Sequence, residues 1–193
     1  SMSNEMSDDR AGNQVIVDRT SRWLSACVVG LRLCPFAEPV LRNKRLALKV
    51  SDAREPAELL HALESEILRL KTVAADQLET TLLIHPWALQ DFAEYNDFLG
   101  VAEALLEQMG MDGVLQLASF HPAYCFAGES PDDPANLTNR SPYPMLHLLR
   151  ESSVSAALDA GADTEAIVNR NIELLRNLSP DALKQLRQTV HGD

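Results

Sequence analysis

The chain is poor in cysteine, and its three thiols are not arranged in pairs. Cys27, Cys34 and Cys125 form no CxxC motif, and so odd and sparse a set is not a disulfide framework. The sequence does not open with the basic segment and apolar stretch of a secretory signal. We therefore expect a protein of the reducing cytoplasm.

The sequence also lacks long apolar runs and, over a wide interval, positive charge. No uninterrupted apolar segment reaches the roughly 20 residues of a membrane-spanning helix. Between Lys71 and Arg140 there is no Lys or Arg, whereas eleven Asp and Glu occur there, and the formal net charge of the chain is −11. Because such a surface repels a phosphate backbone, we expect no nucleic acid and no membrane as partner.

Glycine-rich phosphate loops and internal repeats are absent as well. Without a Gly-rich motif, a nucleoside triphosphate or dinucleotide cofactor is disfavoured. The composition is that of a globular protein, with 46% hydrophobic and 23% charged residues, and 193 residues suffice for one domain. We expect a flexible tail over residues 1–13 and a single domain over residues 14–189, as a monomer or a homodimer.

Hydrophobic periodicity predicts alternating helices and strands. Strands are expected at residues 46–50, 80–84 and 114–120, with helices over 13–31, 55–70 and 91–109 around them. Parallel neighbours need long crossovers, so this order predicts an α/β fold, or else α+β, with a three- to five-stranded parallel or mixed sheet covered by helices. An additional edge strand is expected at 124–127 or 33–40, and C-terminal helices over 141–158, 164–178 and from 179 onward.

Two of the predicted strands end at the same dipeptide. One stops at His85-Pro86 and the other at His121-Pro122, while the first strand is followed by Ser51 and Asp52. If these strands are parallel, both imidazoles lie at the carboxyl edge of the sheet, where open α/β sheets bind ligands. Their titration near neutral pH suits His85 and His121 to act as general acid and base. The alternative is that each histidine caps its strand by bonding a backbone carbonyl.

A long polar loop follows the third predicted strand. Loops of this length are uncommon in compact domains unless they bind something or are disordered, and interleaved aromatic residues and prolines argue against disorder. Asp132 and Asp133 are candidate bases or cation ligands, and Asn136 and Asn139 are candidates for orienting a ligand. The commoner use of such residues is the Asx turn, in which each side chain bonds its own backbone.

Arg140 is the first cation after the acidic interval and precedes a predicted helix. A guanidinium beside free helix N–H groups makes a carboxylate or phosphate site. The alternative is a salt bridge from Arg140 to Asp132 or Asp133 that fixes the loop. The predicted helix also carries three polar residues at i, i+4 and i+7, on a face that either extends the anion site or is solvated: Tyr143, His147 and Arg150.

Cysteine and metal chemistry are further options. Cys125 lies near His121 in the sequence, so a nucleophilic Cys-His pair is conceivable, without an identifiable third group to orient it. Cys34 follows the first helix in an apolar setting, where a buried inert thiol is the default. A site for zinc or another divalent metal has suitable ligand types, though no characteristic short spacing, in four residues: His85, His121, His147 and Cys125.

Four phrases of the sequence resemble a known family. They are residues 30–36 (GLRLCPF), 80–86 (TTLLIHP), 119–122 (SFHP) and 138–150 (TNRSPYPMLHLLR). Together they resemble a bacterial family catalogued as domain of unknown function 1415, and the likeness extends from about residue 15 to residue 178. The resemblance implies a bacterial protein consisting of this one domain, and it carries over no activity and no catalytic residues.

The candidate residues support three hypotheses about function. The first is a hydrolase or group transferase acting on a small anionic metabolite, with His85 and His121 as acid and base and Arg140 binding the anion. The second is a metal-dependent version of this enzyme, or a metal-binding protein, that uses the same histidines and aspartates. The third is a non-catalytic binding or protein-interaction module with three aromatic anchors: Tyr124, Phe126 and Tyr143.

Overall fold

A mixed sheet with helices on both faces forms the frame of the protein. The structure, a computed structural model, describes residues 2–29 and 45–192. Within them the sheet has four strands: β1 (Leu46–Val50), β2 (Thr80–Ile84), β3 (Leu115–Phe120) and β4 (Met145–Arg150). The expected α/β class and mixed sheet are confirmed.

The helices begin where short polar side chains and prolines favour a first turn. Asp91 and Ser179 each accept a hydrogen bond from a backbone N–H of the helix that follows. The helices are α1 (Met2–Trp23), continued by a π-helical segment (Leu24–Val29), then α2 (Pro56–Thr72), α3 (Phe92–Gln108), a short 3₁₀ helix (Pro134–Asn139), α4 (Glu151–Asp159), α5 (Thr164–Arg176) and α6 (Pro180–His191). None of the described helices is long and apolar enough to cross a membrane.

The strand order is β1-β2-β4-β3, and it places both His-Pro corners at one edge of the sheet. β1 and β2 are parallel, and β4 is antiparallel to both β2 and β3. Therefore β1, β2 and β3 all run in the same direction. The last residues of β2 and β3, Ile84 and Phe120, both pair with Met145 at the start of β4.

Each face of the sheet buries its own hydrophobic cluster. Because side chains alternate along a strand, Leu83 and Leu146 point towards α2 and α3, whereas Ile84 and Met145 point towards α1 and α6. The first cluster includes Leu63 and Ile67 of α2, Tyr95 and Phe98 of α3. The second includes Ile16, Trp23, Leu186 and Val190. Full burial of one such side chain stabilises the fold by about 1.5–3 kcal/mol.

The prediction of a helix over residues 141–158 was wrong in its first half. Residues 145–150 form the central strand β4, and the helix starts only at Glu151. A strand covered on both faces carries an unbroken apolar run, which periodicity alone cannot distinguish from a buried helix. As a result, His147 and Arg150 lie on opposite faces of β4, and Tyr143 precedes the strand.

The remaining boundary predictions have mixed outcomes. β4 is the fourth strand, and residues 124–127, one of the two segments proposed for it, form an irregular loop. The other segment, residues 33–40, lies outside the described residues. α1 begins at Met2 and so includes most of residues 1–13, and the expected flexibility of that segment stays a prediction.

Arg150 fixes the end of β4 to the loop that precedes β2. Its Nη2 lies 2.8 Å from the carbonyl oxygens of Val73 and Leu78. We predict that Arg150→Met lowers the free energy of unfolding by about 1–3 kcal/mol, because two part-buried carbonyls lose a charged donor. Urea denaturation measures this, with Arg22→Met on the exposed side of α1 as the control. Equal urea midpoints for the two variants would contradict it.

Candidate functional site

The two His-Pro corners lie on either side of the start of β4. The backbone N–H of His85 donates to the carbonyl oxygen of Pro144 at 3.0 Å, and that of His121 donates to Asn139 at 3.1 Å. Since β4 separates β2 from β3, the two corners are two strand spacings apart, about 9–10 Å. The chain therefore brings His85 and His121 to the same edge of the sheet, on the face covered by α3.

His85 is fully buried and bonds the backbone of its own loop. Its Nδ1 lies 2.9 Å from the carbonyl oxygen of Ala88. A carbonyl only accepts, so Nδ1 carries the proton and Nε2, which is buried without a described partner, has the lone pair. Burial, with a smaller contribution from the nearby His121, lowers the pKa of His85 to about 4, although the hydrogen bond to Ala88 acts to raise it. The ring is therefore neutral at pH 7.

His121 also bonds backbone, with the opposite tautomer. Its Nε2 donates to the carbonyl oxygen of Leu89 at 3.0 Å, and its Nδ1 accepts from the N–H of Ala123 at 3.0 Å. Burial lowers its pKa. Leu89 has a φ of 57°, a left-handed conformation that costs a non-glycine residue about 1–2 kcal/mol. The hydrogen bond from His121 thus holds a strained residue in place.

Tyr95 of α3 completes this buried polar group. Its hydroxyl donates to the carbonyl oxygen of Met145 at 2.6 Å and accepts from the N–H of Phe120 at 3.0 Å. Its ring contacts those of His85 and His121, with centroid distances of 5.9 and 4.8 Å. Burial raises the pKa of Tyr95. We call His85, Tyr95 and His121 the edge triad; its N–H and O–H groups face backbone atoms and leave none to offer a ligand.

An open cleft lies at the same edge, on the face covered by α1. Its volume is about 1260 Å³. Segments from five parts of the fold line it, and they include residues that can contact a ligand: Asp52, Arg54, Trp87, Gln90 and Tyr143. Val50 and Ile16 supply part of its apolar wall. The edge triad lies on the α3 face of the sheet, so its three side chains are not among the lining residues.

Trp87 is the most unusual residue of this cleft. It follows His85-Pro86 directly and remains 50% exposed, whereas the neighbouring Pro86 and Ala88 are buried. The guanidinium of Arg54 lies 5.9 Å from the centroid of its ring, within cation–π distance. Gln90, in the same loop, donates from its side chain to the carbonyl oxygen of Pro86 at 2.8 Å. The loop thus presents an aromatic face and an amide to the cleft.

The predicted ligand-binding residues of the polar loop stabilise the loop itself. Asn136 accepts from the N–H of Phe126 at 2.9 Å and donates to Ser130 at 2.8 Å, and Asn139 donates to Ser119 at 3.0 Å. The carboxylate of Asp133 caps the 3₁₀ helix and pairs with Arg176 at 2.8 Å, which lowers its pKa to about 2. Asp132 is exposed. None of these four lines the cleft.

Arg140 makes its hydrogen bonds within the polar loop. Its Nε donates to the carbonyl oxygen of Tyr124 at 2.9 Å and its Nη2 to that of Pro131 at 2.6 Å. Arg140 does fix the loop, as the salt-bridge alternative supposed, but it does so by donating to backbone carbonyls. The salt bridge to Asp133 is made by Arg176. The guanidinium of Arg140 is thus engaged by the loop, and its convergence with His85 and His121 on one ligand stays a prediction.

The three residues assigned to one helix face are far apart. Tyr143 lines the cleft. Nε2 of His147 donates to the hydroxyl of Thr80 at 2.7 Å, because the single hydroxyl proton of Thr80 is donated to the carbonyl oxygen of Leu148. Burial lowers the pKa of His147 to about 4. Arg150 lies at the opposite end of β4 from the His-Pro corners. Only Tyr143 of this group reaches the candidate site.

The cysteine and metal hypotheses find little geometric support. The Sγ of Cys125 lies 3.4 Å from the carbonyl oxygen of Glu129 and 3.8 Å from the amide nitrogen of Asn136, and both nitrogens of His121 bond backbone. Cys34 lies outside the described residues. Among those described, no three His, Cys, Asp or Glu side chains are grouped so as to hold a metal ion. The rings of Tyr124 and Phe126 pack on each other, half-buried, at 5.0 Å.

Comparison with known proteins assigns the chain to a family. The family model described as "Protein of unknown function (DUF1415)" matches residues 15–185. The chain belongs to this family. No curated protein and no solved structure matches it. The resemblance noted in the sequence is therefore confirmed, and the DUF1415 model spans the edge triad and most of the cleft lining.

Sequence reasoning found part of the cleft and missed the rest. It placed Asp52 and the two His-Pro corners at the carboxyl edge. It named Tyr143 only as part of a helix face with His147 and Arg150 and as an aromatic anchor. It missed Arg54, Trp87 and Gln90. The available signal was a tryptophan directly after a strand-ending His-Pro pair, since a large aromatic residue in a short connection either packs or binds.

We predict that acid destabilises the protein through its buried imidazoles. The pKa values of His85 and His147 are about 4 in the fold, whereas an unfolded histidine titrates near 6.5. Between these values the unfolded chain binds more protons, so stability is complete above pH 6.5 and falls as pH is lowered towards 4. Each shift corresponds to about 3 kcal/mol.

Urea denaturation from pH 7 to pH 4.5 tests this dependence. His147→Gln keeps a donor for Thr80 and should reduce the loss of stability in acid, whereas His61→Gln, at an exposed position of α2, should not. A wild-type free energy of unfolding that is the same at both pH values would contradict the prediction.

Proposed function

We propose that the protein binds a small anionic molecule with a planar, partly apolar body in the cleft at the carboxyl edge of the sheet. Such edges are where open α/β folds bind ligands, because the loops diverge there. A volume of about 1260 Å³ accommodates a molecule of metabolite size. The lining combines an apolar wall with a few polar side chains, as small-molecule sites do.

The observation that carries the proposal is the exposed ring of Trp87 on a locked loop. His85 and His121 bond the carbonyls of Ala88 and Leu89, one and two residues after this tryptophan. The loop backbone is therefore fixed before any ligand arrives, which reduces the ordering cost of binding. A half-exposed aromatic face held in this way is suited to stack on a planar group.

Arg54 supplies the preference for an anion. No described carboxylate lies within ion-pair distance of its guanidinium, and its contact with Trp87 leaves it beside the proposed stacking position. A guanidinium binds carboxylate or phosphate oxygens in a bidentate way. Gln90 and Tyr143, from two other segments, add groups that can orient the ligand.

Catalysis is the second part of the proposal. Hydrolysis or group transfer needs a group that moves a proton; within the edge triad the nitrogen without a backbone partner is Nε2 of His85, and that ring is fully buried. Asp52 is the exposed carboxylate of the cleft lining, and we assign the role of base to it. A bacterial source and a cytoplasmic location, expected from the sequence, belong to the same proposal.

A thermal-shift screen with Trp87→Ala and Arg54→Gln tests the proposal. The probes are aromatic carboxylates, aromatic phosphates and their neutral analogues. At about 100 times its Kd a ligand stabilises the fold by about 2.7 kcal/mol, or about 5–10 °C in a domain of this size. We expect such a shift from a planar anion in the wild type, and its loss in both variants.

Two matched substitutions serve as controls. Val114→Ala removes an equally exposed apolar side chain, 47% exposed, at the other end of the sheet, and Arg69→Gln removes a guanidinium from the outer side of α2. Both should keep the ligand response. Shifts that persist in Trp87→Ala, or that neutral analogues reproduce fully, would overturn the proposal. Loss of turnover in Asp52→Asn with binding retained would then assign the base.

A further inference from the structure

A group of positive charges lies on α6, apart from the cleft. Lys184, Arg187 and His191 stand at i, i+3 and i+7 on one face of this helix. They line a cavity of about 530 Å³ with Pro180 and Leu183 as its apolar part. The sequence carries a net charge of −11, so a concentration of cations at one place is the exception on this molecule.

Two guanidinium groups from other segments, those of Arg140 and Arg19, lie close to residues that line this cavity. Arg140 and Arg187 donate to consecutive backbone carbonyls, those of Pro131 at 2.6 Å and Asp132 at 3.1 Å, which makes them neighbours. The guanidinium of Arg19, on α1, packs against Gly192, the residue after His191. It also lies 5.4 Å from the ring centroid of Tyr143. Three guanidinium groups and an imidazole thus meet where α1, α6 and the polar loop come together.

These cations have no ion-pair partner in the described part of the chain. The carboxylates of the polar loop that form ion pairs, Glu129 and Asp133, both pair with Arg176. The carboxylate of Asp132 lies near enough to Arg140 to act on it electrostatically, and the Asp132 side chain is exposed. Burial and the charges of three arginines, Arg140, Arg187 and Arg19, lower the pKa of His191. Mutual repulsion of this kind is relieved when an anion binds.

We propose that this group is a second binding site, for the phosphate of a small phosphorylated molecule. Arg187 and Arg19 would contact the phosphate oxygens, and His191 would join them as its pKa rises. Arg140, which is 8% exposed, adds its positive charge from the buried side of this group. The apolar part of the cavity, Pro180 and Leu183, suits an organic body attached to the phosphate. The carbonyl end of α6 disfavours anions, so affinity depends on these side chains.

The experiment follows the ring signals of His191 by NMR while inorganic phosphate replaces chloride at constant ionic strength. His191→Gln identifies the signals. We expect saturable binding that moves the titration of His191 to higher pH, because a bound anion stabilises the imidazolium. A titration of His191 that is the same in phosphate and chloride would overturn the proposal.

Matched variants decide whether the named residues form the site. Arg187→Gln and Arg19→Gln should each weaken phosphate binding about tenfold or more, the effect of one lost charged hydrogen bond. Arg22→Gln, three residues after Arg19 and exposed, should leave it unchanged. Equal weakening in all three variants would mean general attraction and contradict a site. Trp87→Ala should bind phosphate like the wild type, which separates this result from the test of the cleft.

Discussion

The hydrogen bonds from two buried neutral imidazoles to the loop after β2 are the interaction on which the candidate site depends. In each ring the proton is on the nitrogen that faces a backbone carbonyl: Nδ1 of His85 faces Ala88, and Nε2 of His121 faces Leu89. Tyr95 joins β3 to β4 between them. Without these donors, buried carbonyls would be unpaired at a cost of about 1–3 kcal/mol each.

The same arrangement suits the two histidines to shaping a site, and it leaves Nε2 of His85 as a buried lone pair without a described partner. Burial keeps both rings neutral, and in His121 both nitrogens are occupied by backbone groups. The two histidines hold the loop after β2 from the α3 face of the sheet, and Trp87 of the same loop lines the cleft on the α1 face. The loop is thus held from the α3 face, and the contacts that we propose for a ligand lie on the α1 face.

Much of the fold could be predicted because local signals and tertiary environment agree. Thr80–Ile84 is a β-branched and apolar run stopped by a proline, and it is a strand with these bounds. β4 could not be predicted, because burial on both faces removes the alternation that marks a strand. A proline ahead of its apolar run also imitates a helix start.

The candidate site could be located from the sequence, but its chemistry could not. Two strands ending in His-Pro predicted that both corners lie at one edge of the sheet, and the topology confirms that they do. Which face each side chain takes, and which atoms it bonds, depends on packing between distant segments. Asp133 pairs with Arg176, 43 residues away, and not with the nearby Arg140. Trp87 is exposed because of bonds made by its neighbours, which no pattern in the loop reveals.

The protonation of the two imidazoles tests this account most directly. Nitrogen-15 NMR of the histidine rings at pH 7.5 reports which nitrogen carries the proton. The account predicts two neutral rings in opposite fixed tautomers, with the proton on Nδ1 of His85 and on Nε2 of His121. Imidazolium signals at that pH, or tautomers that exchange freely, would contradict it.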